Sequence, residues 1–160
     1  MELFRITRIK YLENYTGRGG SFLNGARWNE PGIPVLYFAS TSSVALLEMA
    51  NYLPSPRLIP ADYRLGIYHL PDNISSNTIT IENLPSNWSR YPYPSSTQVL
   101  GSQWLNESSS LILFVPSVAV PAGLENIAVI NPRHPEIDRL QLISVESSLY
   151  NDRAFKGLGE

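Results

Sequence analysis

One long segment with a single charged side chain constrains the fold of this chain most. Between Pro31 and Pro56 the sequence PGIPVLYFASTSSVALLEMANYLPSP contains one Asp, Glu, Lys, Arg or His, and that residue is Glu48. The other side chains at positions 45–50 are apolar, and at about 100° per residue they cover nearly the whole circumference of a helix. This pattern predicts a buried helix with Glu48 shielded from bulk water. Because a buried carboxylate is costly unless it is paired or lies at a cleft, such groups concentrate at functional sites.

A second interpretation of the same residue remains open. Glu48 could lie on the one solvated stripe of the helix, roughly in line with Asn51 and with Thr41 in the preceding turn. The residue pattern alone does not separate a functional acid from an ordinary surface acid.

Length and composition favour one intracellular domain. The chain has 160 residues, of which 43% are hydrophobic, and no internal repeat or long linker divides it. It contains no cysteine, which fits a reducing compartment. Charged residues within the first eight positions argue against a secretion signal. No apolar run approaches the ~20 residues that span a bilayer. We therefore expect a cytoplasmic protein, with residues 1–160 forming one domain and no membrane partner.

The charge balance limits the classes of ligand. The formal net charge is −2, and no run of Lys or Arg provides the basic surface that nucleic acids require. Direct nucleic-acid binding is therefore not expected. A small anion is still compatible with the sequence, because one well-placed arginine can hold a diphosphate.

The order of predicted elements is mostly strands with a few helices, which favours the α+β class. The helices are expected at Ser42 to Tyr52, where a Ser/Thr cluster provides capping, and at Ser96 to Asn106. The expected strands are Leu3 to Thr7, Val35 to Ala39, Arg64 to Leu70, Thr78 to Ile81, Leu111 to Val115, Ile127 to Ile130 and Gln141 to Val145.

Three further residues are candidates for a site around Glu48. Arg27 lies in a glycine-bearing loop, which would let backbone N–H groups and a guanidinium approach a phosphate, although a plain surface turn fits as well. Tyr37 lies near the end of the strand that leads into the Glu48 helix, so Arg27, Tyr37 and Glu48 could line one crevice. Ser117 follows a buried strand, at a position suited to a ligand contact or to an ordinary turn.

The two histidines do not predict a metal site. His69 and His134 are far apart in sequence, and neither has a partner at a metal-ligand spacing. His134 lies in a proline-rich turn, where a surface histidine is more common than a catalytic base. No nucleophile elbow, Walker loop or dinucleotide fingerprint is present.

Seven motif blocks follow one another along nearly the whole chain. They are Phe4-Arg5-Ile6, Gly25-Ala26-Arg27-Trp28-Asn29, Pro34-Val35-Leu36-Tyr37, Ala45-Leu46-Leu47-Glu48, Gly101-Ser102-Gln103-Trp104-Leu105, Val115-Pro116-Ser117 with Val120-Pro121, and Asn131-Pro132-Arg133-His134-Pro135. Each block alone is weak, but the ordered set is specific. In this set the chain resembles the RES-domain family, the toxins of bacterial Xre-RES toxin–antitoxin pairs.

The resemblance implies an ADP-ribosyltransferase-like mixed sheet and degradation of NAD+ by hydrolysis or phosphorolysis of the nicotinamide–ribose bond. It also implies the site residues Arg27, Tyr37, Glu48 and Ser117. Glu48 would stabilise the ribosyl cation, Arg27 would hold the diphosphate, Tyr37 would pack on nicotinamide or ribose, and Ser117 would hydrogen-bond near that ribose. Ala26 stands where the family commonly has glycine, which matters if the backbone there needs a positive φ.

NAD+ is then a substrate, no resident cofactor or metal is implied, and inorganic phosphate is a candidate co-substrate. The implied partner is an Xre-type helix-turn-helix antitoxin, with a homodimer of the chain compatible with such a complex. Two other functions fit the residues: a protein ADP-ribosyltransferase, and a non-enzymatic module that binds a nucleotide or a protein.

Overall fold

The computed structural model describes residues 1–53, 55–151 and 153, which form a seven-stranded mixed sheet with three helices. The expected α+β class is confirmed. The strands are β1 Glu2–Arg8, β2 Leu36–Ala39, β3 Tyr63–His69, β4 Ser76–Thr78, β5 Ile112–Pro116, β6 Asn126–Ile130 and β7 Gln141–Glu146. The helices are α1 Gly20–Asn24, α2 Ser42–Ala50 and α3 Ser95–Glu107. Among the described residues, no helix has the length and apolar character needed to cross a membrane.

The strand order across the sheet is β4-β5-β6-β2-β1-β3-β7. Only the β4–β5 pair is parallel, and the other neighbours are antiparallel. The apolar strands β5 and β6 lie inside the sheet, whereas β7 lies at an edge and alternates exposed with half-buried residues. β6 is the only link between β5 and β2 within this sheet. The position of β5 relative to the first half of the chain therefore depends on β6.

Neighbouring residues of the inner strands pack on opposite faces of the sheet, as the two-residue period of a strand requires. Ile112 and Ile130 belong to one buried cluster with Phe38 and Tyr68. Leu113 belongs to a second cluster on the other face. This cluster includes core residues of α3 and of the loop around Arg27, residues 25–32, which is called the arginine loop below. The members of this second cluster are Trp28, Val35, Trp104, Leu105, Leu113, Val115 and Val129.

The helix α2 begins where the capping cluster predicts, but it is not buried on all sides. The side chain of Thr41 accepts a hydrogen bond from the backbone N–H of Val44 at 3.2 Å, which caps the first turn. The helix ends at Ala50, two residues before the predicted end at Tyr52. Leu47 is 44% exposed, so the expectation of a fully buried helix was wrong. Apolar residues occur on its outer face as well as on its inner face.

The helix α3 is held at close range to the arginine loop. A Cβ atom at Gly101 would overlap the carbonyl oxygen of Trp28, so only glycine permits this approach. At the other end of α3, the carbonyl oxygen of Leu105 accepts hydrogen bonds from Asn131 Nδ2 and Arg133 Nη2, both at 2.9 Å. The Asn131-Pro132-Arg133 segment thus caps the C-terminus of α3.

Two elements differ from the sequence prediction. The short helix α1 was not predicted, since five residues give too little apolar periodicity to recognise. The strand predicted at Thr78 to Ile81 is instead β4, which ends at Thr78, followed by a 3₁₀ turn at Ile81–Asn83. All three residues of β4 are exposed, and the apolar residues that suggested a strand lie outside it.

A carboxylate network joins the β4 end of the sheet to the turn before β7. Glu136 accepts hydrogen bonds from the backbone N–H of Ser75 at 3.1 Å and from the Ser75 hydroxyl. It also pairs with Arg139 at 3.2 Å and lies 3.8 Å from His134. These contacts favour the ionised form, and the hydrogen bonds of Ser75 contribute most to lowering the pKa of Glu136 below its ordinary value.

We expect Glu136→Gln to lower the Tm by a few degrees at neutral pH, because the hydrogen bonds to a charged acceptor are weakened. A carboxylate with a depressed pKa stabilises the fold above its unfolded-state pKa, and this contribution is lost as the pH falls through its folded-state pKa. The difference in Tm between wild type and variant should therefore shrink on acidification below about pH 4. Thermal unfolding followed by circular dichroism measures it. Glu107→Gln, which changes an exposed acid of α3, is the control, and an equal loss there would contradict this assignment.

Candidate functional site

A cavity of about 830 Å³ opens between β1, the loop around Arg27, the helix α2 and the loop before α3. Its volume lies in the range of about 300–1,000 Å³ that is usual for ligand sites. The charged residues of its wall within the described chain are Arg5, Arg8, Arg18, Arg27 and Glu48. A protein of net charge −2 thus concentrates arginine around one acid. Such a cavity attracts an anionic ligand and offers it a single carboxylate.

Glu48 is half-buried in the cavity wall, and its carboxylate is held in place. The hydroxyl of Ser117 donates to Glu48 Oε1 at 2.6 Å, and Asn51 Nδ2 donates to Oε2 at 3.4 Å. Ser117 itself is fully buried, and it lies behind Glu48 rather than on the cavity wall. Its contact in this structure is therefore with the acid, and not with the space that a ligand would occupy.

The start of β6 fixes both Ser117 and the helix that carries Glu48. The backbone N–H of Ser117 donates to the carbonyl of Glu125 at 2.8 Å. The carboxylate of Glu125 accepts from the Thr41 hydroxyl at 3.0 Å, directly before α2. The Ser40 hydroxyl donates to the carbonyl of Asn126 at 2.7 Å. Ser117 and the turn before α2 are thus both attached to Glu125.

Arg27 faces the same end of the cavity as Glu48. Its Nη1 atom donates to the carbonyl oxygens of Trp88 at 2.5 Å and Arg90 at 2.8 Å, and its guanidinium lies 5.2 Å from the ring centre of Tyr93. Burial lowers the pKa of Arg27, while the charge of Glu48 is among the groups that oppose this shift. Carbonyl contacts restrain the guanidinium, and its Nε and Nη2 atoms make no hydrogen bond to the described residues.

Tyr37 connects the strand β2 to the arginine loop. Its hydroxyl donates to Asn29 Oδ1 at 2.7 Å and accepts from the backbone N–H of Trp28 at 3.2 Å. Asn29 is fully buried, and its Nδ2 atom donates to the carbonyls of Ser21, Glu30 and Ile33 at 2.8, 3.1 and 3.4 Å. Burial raises the pKa of Tyr37 well above its ordinary range, which keeps the phenol neutral. The hydroxyl therefore positions the residues on both sides of the Arg27 loop.

Arg5 is a cavity residue to which the sequence analysis assigned no role. It lies in the middle of β1, its guanidinium is 5.6 Å from the ring centre of Phe38, and burial lowers its pKa. Its hydrogen bond is a long one, 3.4 Å to the carbonyl of Tyr11, and no carboxylate of the described chain forms an ion pair with it. A half-buried cation without a counter-ion is partly desolvated at a cost, which makes Arg5 a candidate anion anchor. The available indication was an arginine inside the apolar strand Leu3-Phe4-Arg5-Ile6.

The sequence predicts that Arg27, Tyr37 and Glu48 share one crevice, and in the structure all three line the same cavity. Ser117 reaches the group through its hydrogen bond to Glu48. His134 lies outside the cavity, where its Nδ1 atom accepts from the backbone N–H of Glu136 in the network described above. Within the described residues, no cluster of His, Asp or Glu has the arrangement of a metal site.

Sequence comparison places the chain in a known family. The model of the RES domain matches residues 2–151. The chain belongs to the RES domain family. The match includes the arginine loop, the helix α2 and the strand that precedes Ser117, so all the candidate site residues lie within the family region.

Two relatives illustrate the similarity of this RES domain to curated proteins. The protein "Toxin Res" of Photorhabdus laumondii is 38% identical over 133 residues, which cover 82% of each chain. The "Prs ADP-ribosylating toxin" of a Sphingobium strain is 34% identical over 139 residues, with 86% of this chain and 84% of the relative covered.

The fold is also similar to a solved structure. A chain in the crystal structure of the Mycobacterium tuberculosis MbcT–MbcA toxin–antitoxin complex superposes with a TM-score of 0.72. The match covers 93% of this RES domain and 86% of that chain, at 19% sequence identity. At this identity the comparison establishes a shared fold.

We expect Tyr37→Phe to destabilise the protein by about 1–3 kcal/mol, because it leaves the buried Oδ1 atom of Asn29 without its donor. Urea unfolding followed by tryptophan fluorescence measures the change. Tyr63→Phe is the matched control, since the Tyr63 hydroxyl makes no hydrogen bond within the described chain while its ring packs near Arg8 at 5.9 Å. Equal stability of the two variants would show that the Tyr37 hydroxyl does not hold the loop.

Proposed function

We propose that this RES domain is the toxin of a toxin–antitoxin system and that it cleaves the bond between nicotinamide and ribose in NAD+. The observation that carries the proposal is the carboxylate of Glu48, held by Ser117 at 2.6 Å in the wall of a cavity rich in arginine. Family membership and the toxin names of the relatives support the biological role.

The proposed chemistry needs one fixed carboxylate. When nicotinamide leaves, positive charge develops on the ribose, and a preorganised negative group stabilises that charge more than it stabilises the ground state. Glu48 is suited to this role because its hydrogen bond to Ser117 fixes one carboxylate oxygen and leaves the side chain in the cavity wall. Nicotinamide leaves from a cationic pyridinium as a neutral base, so no general acid is required.

The arginines supply the complementary charge for the rest of the substrate. NAD+ carries a diphosphate, and guanidinium groups bind phosphate oxygens through charge-assisted hydrogen bonds. We assign this role to Arg5 together with Arg27. The carbonyls of Trp88 and Arg90 restrain Arg27 at the end of the cavity where Glu48 lies. Arg5 lies on β1, and apart from one long hydrogen bond through Nη1 its N–H groups make no hydrogen bond to the described residues. A substrate that spans both would have its nicotinamide–ribose bond near the carboxylate.

The acceptor of the ADP-ribosyl group distinguishes three versions of the reaction. Water gives ADP-ribose, inorganic phosphate gives ADP-ribose 1″-phosphate, and a protein side chain gives an ADP-ribosylated protein. The relative named as an ADP-ribosylating toxin favours keeping the last version as a second candidate. Incubation of the protein with labelled NAD+ and a cell extract distinguishes the third version from the other two, because only the third transfers label to macromolecules. The identity of the small-molecule product distinguishes water from phosphate. Tight binding of NAD+ without consumption would instead indicate a binding module.

An Xre-type helix-turn-helix antitoxin is the partner that this function requires, and one or more copies of this chain would bind it in the complex. The structural neighbour comes from a toxin–antitoxin complex, which supports a partner of this general kind. A reading frame of the helix-turn-helix type beside the gene, and co-purification of its product with this chain, would test the pairing. A gene that stands alone and is harmless when overexpressed would count against it.

We predict that Glu48→Gln abolishes nicotinamide release from NAD+ while the fold persists, because it removes the charge and keeps the shape. Release is followed by chromatography with and without phosphate. Glu107→Gln is the matched control, since it changes an exposed acid of α3 that lies outside the cavity wall. The proposal fails if wild-type protein releases no nicotinamide, and the role of Glu48 fails if its Gln variant is fully active.

We predict opposite effects of Arg5→Gln on binding and stability. The loss of a charge-assisted contact should weaken NAD+ binding by roughly 10- to 100-fold. The Tm of the free protein should stay equal or rise, because a partly desolvated charge without a counter-ion is removed. Isothermal titration and thermal unfolding measure the two effects. Arg64→Gln changes an arginine of β3 outside the cavity wall and should leave NAD+ affinity unchanged. A variant that is destabilised but binds NAD+ normally would contradict the anchor role of Arg5.

A further inference from the structure

Tyr52 presents an aromatic surface beside Glu48. It follows the helix α2, and its backbone N–H donates to the carbonyl of Met49 at 3.0 Å, so the chain is still turning at this point. Residues four apart on a turning helix lie on the same side, which brings the Tyr52 ring toward the carboxylate. Desolvation, the hydrogen bond to Tyr93 and the charge of Glu48 all raise the pKa of Tyr52. Both Tyr52 and Glu48 line the cavity.

The hydroxyl of Tyr52 is tethered, but its ring is free. The hydroxyls of Tyr52 and Tyr93 lie 3.1 Å apart, which links the end of α2 to the loop before α3. The ring of Tyr93 is already occupied by Arg27 at 5.2 Å and by Tyr91 at 5.4 Å in an edge-to-face contact. The ring of Tyr52 has no aromatic or cationic partner in the described chain, and the residue is 68% exposed. A restrained aromatic face is therefore open to the cavity.

We propose that Tyr52 is the stacking platform for the leaving base of the substrate and selects cationic aromatic bases, an inference that rests on the proposed function. A pyridinium ring above a tyrosine face gains a cation–π attraction that a neutral ring lacks. In the reaction the ribose–nitrogen bond breaks, and its electron pair moves to the ring nitrogen. The water oxygen bonds to the ribose carbon and releases one proton to solvent. The base thus becomes neutral as it leaves, so the platform holds the substrate more strongly than the nicotinamide product.

The test compares two ligands that differ only in the base. NAD+ carries the cationic ring and ADP-ribose does not. The measurement uses the Glu48→Gln protein, so that NAD+ is not consumed during the titration. In that background, Tyr52→Leu should weaken NAD+ binding by roughly 3- to 30-fold, the range that cation–π contacts span. It should leave ADP-ribose affinity unchanged. Tyr52→Phe retains the ring and should retain most of the NAD+ affinity. Isothermal titration measures the affinity of each of these proteins for both ligands.

Tyr11→Leu is the matched control for the loss of a tyrosine from the cavity wall. Tyr11 is 41% exposed and its ring is covered by Lys10 at 4.8 Å, so its removal should change the affinities for NAD+ and ADP-ribose by the same factor. The platform is refuted if Tyr52→Leu weakens both ligands equally or neither, or if the Glu48→Gln protein binds no NAD+.

The two hypotheses fail separately. A wild-type protein that binds NAD+ with the expected dependence on Tyr52 but releases no nicotinamide refutes the proposed reaction and retains the platform. Nicotinamide release by a protein whose NAD+ affinity does not depend on Tyr52 refutes the platform and retains the proposed reaction. Steady-state kinetics of the active protein provide a further test. There, Tyr52→Leu should raise KM for NAD+ more than it lowers kcat.

Discussion

The buried amide of Asn29 is the contact on which the arrangement of the site depends. All polar atoms of its side chain are used, with the carbonyls of Ser21, Glu30 and Ile33 on one side and the Tyr37 hydroxyl on the other. A fully buried amide is stable only when its hydrogen bonds are made, so the loop has one low-energy path around it. That path fixes the backbone two residues before Asn29, where Arg27 lies. The position of a cavity cation thus follows from a side chain that no ligand touches.

A similar relation holds at Glu48. Its position is determined by Ser117, which is buried, and by the turn before α2, which is held by residues at the start of β6. The cavity therefore has two layers: charged and aromatic side chains that face the open volume, and polar side chains behind them that fix their geometry. Preorganisation of this kind reduces the reorganisation that is needed when charge develops in a bound substrate. In the proposed reaction, the buried Ser117 would act through Glu48 rather than through contact with the substrate.

Much of the fold could be predicted because its elements have local patterns. Apolar runs bounded by turn residues identify six of the strands, and Thr41 identifies the start of α2. The C-terminal end and the burial of α2 could not be predicted, since apolar residues on both faces do not show which face packs on the core. The short helix α1 has no such pattern. The edge strand β4 is held by pairing with β5 rather than by its own residues.

Some residues of the site could likewise be predicted from the sequence, and others could not. Glu48 stood out because it is alone in an apolar segment, and the family resemblance supplied the roles proposed for Arg27, Tyr37 and Ser117. Arg5 and Tyr52 were missed because their significance comes from tertiary neighbours. A single arginine is common in a strand at the surface, and nothing in the sequence indicates that Arg5 lacks a counter-ion. The contact between Tyr52 and Tyr93 joins two loops whose paths no local pattern determines.

The strand order has a consequence for how such a protein is made. On the ribosome the arginines and Glu48 emerge in the first third of the chain, but β5 with Ser117 reaches them only through β6, which ends at Ile130. Pairing between strands so distant in sequence forms late, because the intervening chain must be ordered first. A nascent chain therefore carries every charged residue of the cavity well before the acid is fixed in position. If the function proposed above holds, the cell has that interval in which to supply an antitoxin.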